Sequence, residues 1–376
     1  MKILFACNTL HGFFNFRKEV LQHFVDKGAW AYIIYPEGTE EGLDQTQFQE
    51  GCQLCPCKFS PNGKNPIQDI KFLLFYIRVL SATHPDIAIN YTIKPNIYGT
   101  IAASLHGIPV IDMVPGLGIS FSGQGLFSSL LFPFYSFFLR KADYVVVLNE
   151  DDKQVLQVHS HVDESRLVLF SGGEGINLDY YSYIEGTFEK PRFVMISRLL
   201  YDKGFREFVE VARLIHKDYP EIEFDIAGSF NNKNKGSVSK KELISVIQEG
   251  EVNYLGYVSD IRCLLSDPNI VVVLPSYYRE GMNRSLMEAA AVGRPIITTD
   301  LPGLRELVED GYNGYLIEPR SVPSLLNAVG DVLLLSSSQL SKLGENGRKF
   351  VENRFGIEKV LCQYDEIIES ILSSNV

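Results

Sequence analysis

The chain has 376 residues, of which 45% are hydrophobic and 22% charged, and its formal net charge is −11 at pH 7. One hydrophobic core rarely serves so long a chain, so two domains are expected, and the acidic balance argues against a nucleic-acid-binding protein. The N-terminal apolar run is interrupted at Asn8 and His11, and no apolar stretch reaches the roughly 20 residues of a membrane span. We therefore expect a cytoplasmic protein.

The first half of the chain alternates apolar, β-branched runs with helical patterns. Asn65 and Pro66 predict a helix start, and a second helix is predicted over 96–106, before Gly107. Buried strands that alternate with helices indicate a parallel sheet covered on both faces. The strands are predicted at 2–7, 32–35, 87–91, 109–112 and 144–148.

The same alternation restarts after a polar, aperiodic segment at 178–191. Helices are predicted at 205–216 and 283–292, and strands at 193–197, 224–227, 252–255, 270–274, 295–299 and 314–317. We therefore predict an α/β protein of two doubly wound, Rossmann-like domains, 1–175 and 176–356, that face each other across a cleft. A last helical segment, 357–376, either caps the second domain or crosses back to the first.

Three cysteines form a C-x-x-C-x-C cluster at Cys52, Cys55 and Cys57. A zinc site usually needs four ligands, and the sequence has no matching second pair. Reduced thiols are therefore expected here, and we predict no metal site.

A strand, a loop and a helix carry two glutamates, Glu280 and Glu288. Glu280 precedes a predicted helix N-terminus, where backbone N–H groups point outward, and Gly281 lets a ligand approach the backbone. Carboxylates accept sugar hydroxyls, while such N–H groups bind phosphate, so the pattern suits a polyol that carries an anion. The alternative is a surface loop with two solvated glutamates.

A basic motif, Arg198 to Gly204, follows the first predicted strand of the second domain. Ligands of open α/β sheets bind beyond the carboxyl ends of the strands, so Arg198 and Lys203 should lie over the same sheet edge as Glu280. A guanidinium and an ammonium together suit a diphosphate leaving group. The alternative is a pair of solvated charges at a helix start.

These motifs together resemble the donor site of the retaining GT-B glycosyltransferases of family 4 type. The resemblance covers most of the chain, since 172–177 is similar to the family's interdomain turn and 255–260 to its nucleotide-base loop. It implies that a sugar moves from a nucleotide donor with retention of configuration and without a metal ion or other cofactor. The implied catalytic residues are Arg198, Lys203 and Glu280, and the implied donor-binding residues are Gly204, Tyr257, Gly281, Met282, Asn283 and Glu288.

The first half resembles a bacterial branch that uses UDP-sugars to extend saccharides linked to undecaprenyl diphosphate. The segments 91–99 and 114–118 carry this likeness, as do 279–282 and 284–288. It implies transfer of a hexose or N-acetylhexosamine, with N-acetylgalactosamine as the best guess, in O-antigen, capsule or glycan assembly. The residues expected on the acceptor side are Gly12, Lys94, Asn96 and Gly116.

The sequence departs from the family at three places. Only His11 and Gly12 stand at the N-terminal glycine-rich loop, a histidine usual near 113–118 is missing, and Asn283 replaces a frequent proline. Lys94 either binds the acceptor diphosphate or is a solvated lysine.

The aromatic segment 126–141 ends in Arg140 and Lys141. It is either a helix that contacts the membrane peripherally or a buried helix between sheets.

Other functions are open to a doubly wound fold. A dinucleotide oxidoreductase would need G-x-G-x-x-G after the first strand, and the residues after Cys7 do not supply it. A glycosyltransferase with a soluble acceptor, a non-catalytic sugar-nucleotide-binding subunit and a sugar-nucleotide epimerase remain as alternatives.

Overall fold

The computed structural model describes residues 1–40, 43, 50–61, 63, 65–117, 126–230 and 236–374, and within them leaves aside the side chains of 126–131 and 374. The chain divides into two compact units. The first comprises Met1–Gly175 with Ile357–Val376, and the second comprises Ile176–Gly356.

The first unit is built on a parallel sheet that has seven strands in the described part of the chain. The order β3-β2-β1-β4-β5-β6-β7 reverses direction between β1 and β4, which is where ligands of doubly wound sheets bind. The strands are β1 (Lys2–Ala6), β2 (Trp30–Pro36), β3 (Cys52–Cys57), β4 (Ile87–Tyr91), β5 (Val110–Val114), β6 (Tyr144–Val147) and β7 (Leu167–Leu169).

The sequence prediction missed the two edge strands, β3 and β7. β3 is mostly half-buried and contains Pro56, which an edge strand tolerates because only one side of it is paired. β7 spans only three residues. Neither therefore shows the continuous apolar run that marks the central strands.

Five α-helices lie between these strands in the part of the unit that the structure describes. Asn65 caps the second of them, Pro66 occupies its first turn as predicted, and His84 ends it in the left-handed conformation. The third begins at Ile93, three residues earlier than predicted, and ends at Gly107 with φ 65°. The helices are α1 (Leu10–Asp26), α2 (Pro66–Thr83), α3 (Ile93–His106), α4 (Leu126–Leu139) and α5 (Glu150–His159).

The second unit has a parallel sheet of six strands within the described residues. Its order, β10-β9-β8-β11-β12-β13, reverses direction between β8 and β11. The strands are β8 (Arg192–Ile196), β9 (Glu223–Ala227), β10 (Asn253–Gly256), β11 (Ile270–Leu274), β12 (Ile296–Thr299) and β13 (Gly314–Ile317). All six strands were predicted, to within one residue at each end.

Helices cover this second sheet and close its core. Apolar residues of α6 and α9, such as Phe208 and Leu286, are buried with the strands in one cluster. The helices are α6 (Phe205–Ile215), α7 (Lys240–Glu249), α8 (Ile261–Leu265), α9 (Arg284–Val292), α10 (Val322–Leu334) and α11 (Ser337–Arg354).

The last helix, α12 (Ile357–Ser374), belongs to the first unit. Tyr364 is buried and its hydroxyl lies 3.0 Å from that of Tyr91 on β4. Asp365 lies 3.0 Å from His23 and 2.7 Å from Lys27, both on the α1 side of the sheet. Of the two predicted placements of this helix, the structure therefore shows the return to the first unit.

Candidate active site

Two loops of the second unit meet at the point where its strand order reverses. The residues after β8 carry Arg198 and Lys203, and those after β11 carry Glu280. β8 and β11 are hydrogen-bonded neighbours, with Ile270 opposite Arg192. The predicted catalytic residues therefore lie at the carboxyl ends of adjacent central strands, where a ligand is expected.

Backbone hydrogen bonds tie the two loops together. The N–H groups of Tyr277 and Tyr278 donate to the carbonyl of Asp202, over 2.8 and 3.1 Å. Gly204 has φ 83°, and a Cβ there would clash with the Pro275 carbonyl. Backbone conformation and close packing therefore both require glycine at position 204. This is a structural reason for a glycine in the loop that is predicted to bind the donor.

Lys203 and Glu280 form a buried ion pair between these loops. Their side chains are 6% and 15% exposed, and the Lys203 ammonium lies 4.9 Å from the centre of the Tyr278 ring. Burial and the nearby charge of Arg198 lower the pKa of Lys203 to about 7, against the opposing charge of Asp202. The pair therefore places a cation and a carboxylate at one point of the sheet edge.

Arg198 differs from Lys203 in its exposure to solvent. Its side chain is exposed, yet its charge acts on Lys203 and on Asp202. Two cationic groups so close together repel each other in the absence of an anion. A diphosphate that bound between them would relieve this repulsion.

Glu288 is held by two donors that the sequence analysis did not single out. The Tyr181 hydroxyl donates to Glu288 Oε1 over 2.8 Å, and Arg284 Nε donates to the same oxygen over 3.0 Å. Burial and Glu288 raise the pKa of Tyr181, so the phenol stays protonated and acts as a donor. The i, i+4 spacing of Arg284 and Glu288 indicates from sequence that they can form an ion pair. Tyr181 lies 107 residues from Glu288 along the chain, so no local pattern indicates their contact.

Asn283 has a structural role in this unit. Its Oδ1 accepts from Leu286 N at 3.1 Å and from the Ser285 hydroxyl at 2.9 Å, so the side chain caps α9. Its backbone N–H donates to the Gly303 carbonyl. The Asn283 side chain therefore caps α9, and its contact with the donor stays a prediction.

The other predicted donor residues lie near the same edge. Gly281 and Met282 are half-buried between Glu280 and α9, and Tyr257 follows β10 with 63% of its surface exposed. The strand that Tyr257 follows lies at the edge of the sheet, since β9 separates β10 from β8.

Two predicted acceptor residues of the first unit contact neighbouring residues of the same unit. Asn96 is fully buried, and its Nδ2 donates to the Met113 carbonyl and to the Tyr135 hydroxyl, because α3 begins early enough to turn this residue inward. Lys94 lies 2.5 Å from Asp69 and donates to the Ser60 carbonyl over 2.9 Å. Asn96 is thus part of the interior, where its Oδ1 has no partner among the described residues, and Lys94 is paired with Asp69.

The predicted glycines of the first unit have different surroundings. A Cβ on Gly12 would lie 2.6 Å from Thr9 Oγ1, the oxygen that caps α1, so the cap itself requires glycine there. Gly116 is half-buried after β5, and the neighbouring Leu117 N–H donates to Asp152 over 3.2 Å. Gly118, at the end of the same motif, lies outside the described residues.

Three unpredicted residues stand out at the carboxyl edge of the first sheet. Asn8 Oδ1, His11 Nδ1 and Thr92 Oγ1 are buried and have no hydrogen-bond partner among the residues that the structure describes. Positive φ at a β-branched residue is rare, and Thr92 has φ 76°. Backbone strain of this kind has no sequence signal.

Two features are absent from the described residues. No group of three or more histidine, cysteine, aspartate or glutamate side chains there is arranged to hold a metal ion. Nor is any helix in those ranges long and apolar enough to cross a membrane.

Two family models match the chain, one in each half. Residues 15–173 match the model described as Glycosyltransferase Family 4, and residues 185–350 match the one described as Glycosyl transferases group 1. Between them these matches include both loops of the second unit, and in the first unit they begin within α1, after His11.

Curated relatives extend the likeness over the full length. The N,N'-diacetylbacillosaminyl-diphospho-undecaprenol alpha-1,3-N-acetylgalactosaminyltransferase of Campylobacter jejuni is 25% identical over 99% of this chain and 100% of its own length. The UDP-Gal:alpha-D-GlcNAc-diphosphoundecaprenol alpha-1,3-galactosyltransferase of Escherichia coli is 26% identical over 78% of this chain and 77% of its own.

Solved structures share the fold at lower identity. Sucrose-phosphate synthase of Thermosynechococcus elongatus superposes with a TM-score of 0.83 over 100% of both chains, at 17% identity. Anabaena HepE in complex with UDP gives a TM-score of 0.78 at 17% identity, over 98% of this chain and 100% of that one. At this level of identity the likeness shows a common fold.

Proposed function

The chain belongs to the family 4-like glycosyltransferases of GT-B architecture, and from that premise we propose that it transfers a sugar from UDP to a lipid-diphosphate-linked saccharide. The proposed sugar is a hexose or N-acetylhexosamine, with N-acetylgalactosamine the first candidate. The names of the Campylobacter jejuni and Escherichia coli relatives support both the sugar and the acceptor class. The UDP complex of Anabaena HepE, which shares the fold, supports the nucleotide.

One observation carries the proposal: Arg198, Lys203 and Glu280 converge where the strand order of the second unit reverses. As the glycosidic C–O bond breaks, the sugar gains positive charge and the diphosphate gains negative charge. Arg198 and Lys203 would bind the diphosphate, and Glu280 would accept hydroxyls of the donor sugar. Donors fixed in place before the reaction stabilise such charge, and losing one typically costs roughly 10²–10³ in rate.

The chemistry needs a base for the acceptor hydroxyl but no protein nucleophile. We propose retention of configuration, with attack on the face from which the diphosphate leaves. The departing phosphate oxygen would then accept the proton of the acceptor hydroxyl. Glu288, which Tyr181 and Arg284 hold from one side, would bind the ribose of the nucleotide. We also propose that the reaction uses no metal ion, since the two cationic side chains supply the charge that a metal would.

A peripheral contact with the cytoplasmic membrane face would bring the enzyme to a lipid-linked acceptor. Phe134 and Phe137 on α4 are 51% and 48% exposed. The charges of Arg140 and Lys141 lie 5.6 and 5.3 Å from the centre of the Phe137 ring. Exposed aromatic rings beside basic groups suit an anionic lipid surface.

Sedimentation with anionic liposomes tests this contact. We expect Arg140→Glu with Lys141→Glu to lower the bound fraction severalfold. Lys240→Glu with Lys241→Glu is the matched control, because these exposed lysines on α7 belong to the second unit. Equal binding of both double variants would remove the membrane surface from the proposal.

A transfer assay tests the function itself. Purified protein is incubated with UDP-N-acetylgalactosamine or UDP-galactose and a prenyl-diphosphate-linked N-acetylhexosamine, and the extended lipid-linked product is detected by mass spectrometry. We expect product with wild type and at least 100-fold less with Lys203→Ala. Release of free altered UDP-sugar without acceptor would instead indicate an epimerase. Binding of UDP without any turnover would indicate a non-catalytic subunit.

A further inference from the structure

The first sheet carries a group of polar residues at its own point of strand reversal, between β1 and β4. Ala6 and Asn90 are paired across these strands, so Asn8 and Thr92 follow at equivalent positions two residues later. His11 lies in the first turn of α1, which starts from the same edge. Asn8 Oδ1, His11 Nδ1 and Thr92 Oγ1 are each buried and lack a hydrogen-bond partner within the described ranges. Such groups are uncommon in folded proteins and call for a ligand or ordered water.

Thr92 is held in a conformation that its side chain disfavours. It has φ 76° and ψ 171°, and although it stands at the N-cap of α3 its hydroxyl does not cap the helix. A threonine at an N-cap normally has an extended backbone with negative φ, and its side-chain oxygen accepts a hydrogen bond from a backbone N–H of the first turn. Strain that surrounding structure maintains in this way is concentrated at ligand-binding sites.

The start of α1 does not offer an anion site. The N–H groups of residues 10–13 already donate to Thr39 Oγ1, the Thr39 carbonyl, Thr9 Oγ1 and the Thr9 carbonyl, in that order. A helix N-terminus binds phosphate through such groups when they lack partners. Here Thr9 and Thr39 occupy them.

The cations near this edge are also paired. The Arg17 guanidinium forms a buried ion pair with Glu174, and the Lys94 ammonium is bound by Asp69. Each of these cations therefore already has one carboxylate partner, although Arg17 Nε and the nearby Asn96 Oδ1 have no hydrogen-bond partner among the described residues. The amide oxygen of Asn8, the hydroxyl of Thr92 and the imidazole nitrogen of His11 can bind neutral hydroxyl groups as both donors and acceptors.

We propose that Asn8, His11 and Thr92 form a subsite for the hydroxyl groups of the acceptor saccharide, and that the acceptor diphosphate binds elsewhere. This inference rests on the proposed function. It replaces Lys94 and Asn96 as the acceptor residues of the first unit.

Steady-state kinetics with two lipid probes tests the subsite. Farnesyl-diphosphate-linked N-acetylglucosamine is the acceptor, and farnesyl diphosphate, which lacks the sugar, is tested as a competitive inhibitor. For Thr92→Val and for Asn8→Ala we expect the acceptor KM to rise at least fivefold, while the inhibition constant of farnesyl diphosphate and the KM of the UDP-sugar stay within twofold. Thr83→Val is the control, since its hydroxyl donates to the Val79 carbonyl at the far end of α2.

Three results would overturn the subsite. The first is an unchanged acceptor KM in both variants, and the second is an inhibition constant of farnesyl diphosphate that rises as much as the acceptor KM. The third is an effect of Thr83→Val on the acceptor KM as large as that of Thr92→Val. The second would mean that the site holds phosphate. A further variant, Thr92→Gly, separates binding from folding. Glycine relieves the positive φ, so we expect an equal or higher melting temperature together with a raised acceptor KM. Failure of the proposed function would be distinguishable, because the wild type would then transfer sugar to no acceptor.

Discussion

Replacing Tyr181 by phenylalanine removes one hydroxyl from beside Glu288 and leaves the ring in place. The hydroxyl donates to Glu288 Oε1 at 2.8 Å, and Tyr181 is 8% exposed. A hydrogen bond to a charged group contributes about 1.5–3 kcal/mol. Arg284 still donates to the same oxygen at 3.0 Å, so we expect the loss to lie at the lower end of this range, about 1.5 kcal/mol. This sets an upper limit of roughly tenfold on the loss of affinity for UDP, because the bond is already formed in the free protein.

Isothermal titration calorimetry with UDP and its 2′-deoxy and 3′-deoxy analogues locates the effect. If Tyr181 orients Glu288 toward the ribose, Tyr181→Phe should lower the affinity for UDP more than the affinity for at least one deoxy analogue. Glu288→Gln should discriminate between the ligands in the same way, with a larger loss of affinity for UDP. Tyr180→Phe is the matched control, because Tyr180 is the chain neighbour, is 49% exposed and packs its ring against Arg262.

Two outcomes would refute this reasoning. Equal affinity of wild type and Tyr181→Phe for UDP would show that Arg284 alone orients Glu288. An equal loss for UDP and for both deoxy analogues would show that Tyr181 acts on some part of the site other than the ribose contact.

Three further predictions concern charge. The affinity of wild type for UDP should fall between about pH 6 and pH 8, because the pKa of Lys203 is lowered to about 7 and rising pH then removes the ammonium. Calorimetry at several pH values checks this, and the same pH profile in Lys203→Met, which has no ammonium to lose, would contradict it. Asp112→Asn should raise the melting temperature at about pH 8 by at least about 2 °C and by less at about pH 5. Burial raises the pKa of Asp112 to about 8, so its ionisation in the unfolded chain costs stability increasingly as pH rises from about 4; a difference independent of pH would contradict this. Sugar transfer should persist in excess EDTA, and a loss restored by a divalent ion would contradict metal-independent catalysis.

The central strands and the donor-side loops were predictable from sequence because their signals are local. Buried parallel strands read as continuous apolar runs, and β11 ends directly before the loop of Glu280. Parallel strands also place their carboxyl ends at one edge, so Arg198 and Glu280 could be assigned to the same edge without a structure. The edge strand β3, with Pro56 and half-buried residues, carries no such run.

The remaining features depend on contacts between distant parts of the chain. Lys94 meets Asp69 only because α2 and α3 pack side by side. Asn96 turns inward because α3 begins at Ile93, a start that the sequence does not mark with a side-chain cap. Tyr181 reaches Glu288 across 107 residues. Hydrophobic periodicity reports the burial of single elements and contains no information about such partners.

The central claim is that Arg198 and its neighbours bind the diphosphate of a UDP-sugar, and thermal denaturation with nucleotides tests it most directly. At 100 times its Kd, a ligand adds about 2.7 kcal/mol to the folded state. We expect UDP and one UDP-sugar to raise the melting temperature of wild type and of Arg206→Ala, whose exposed guanidinium pairs with Glu242 on the surface, but not that of Arg198→Ala. Stabilisation of Arg198→Ala equal to that of wild type, or stabilisation of wild type by NAD rather than by UDP, would contradict the assignment.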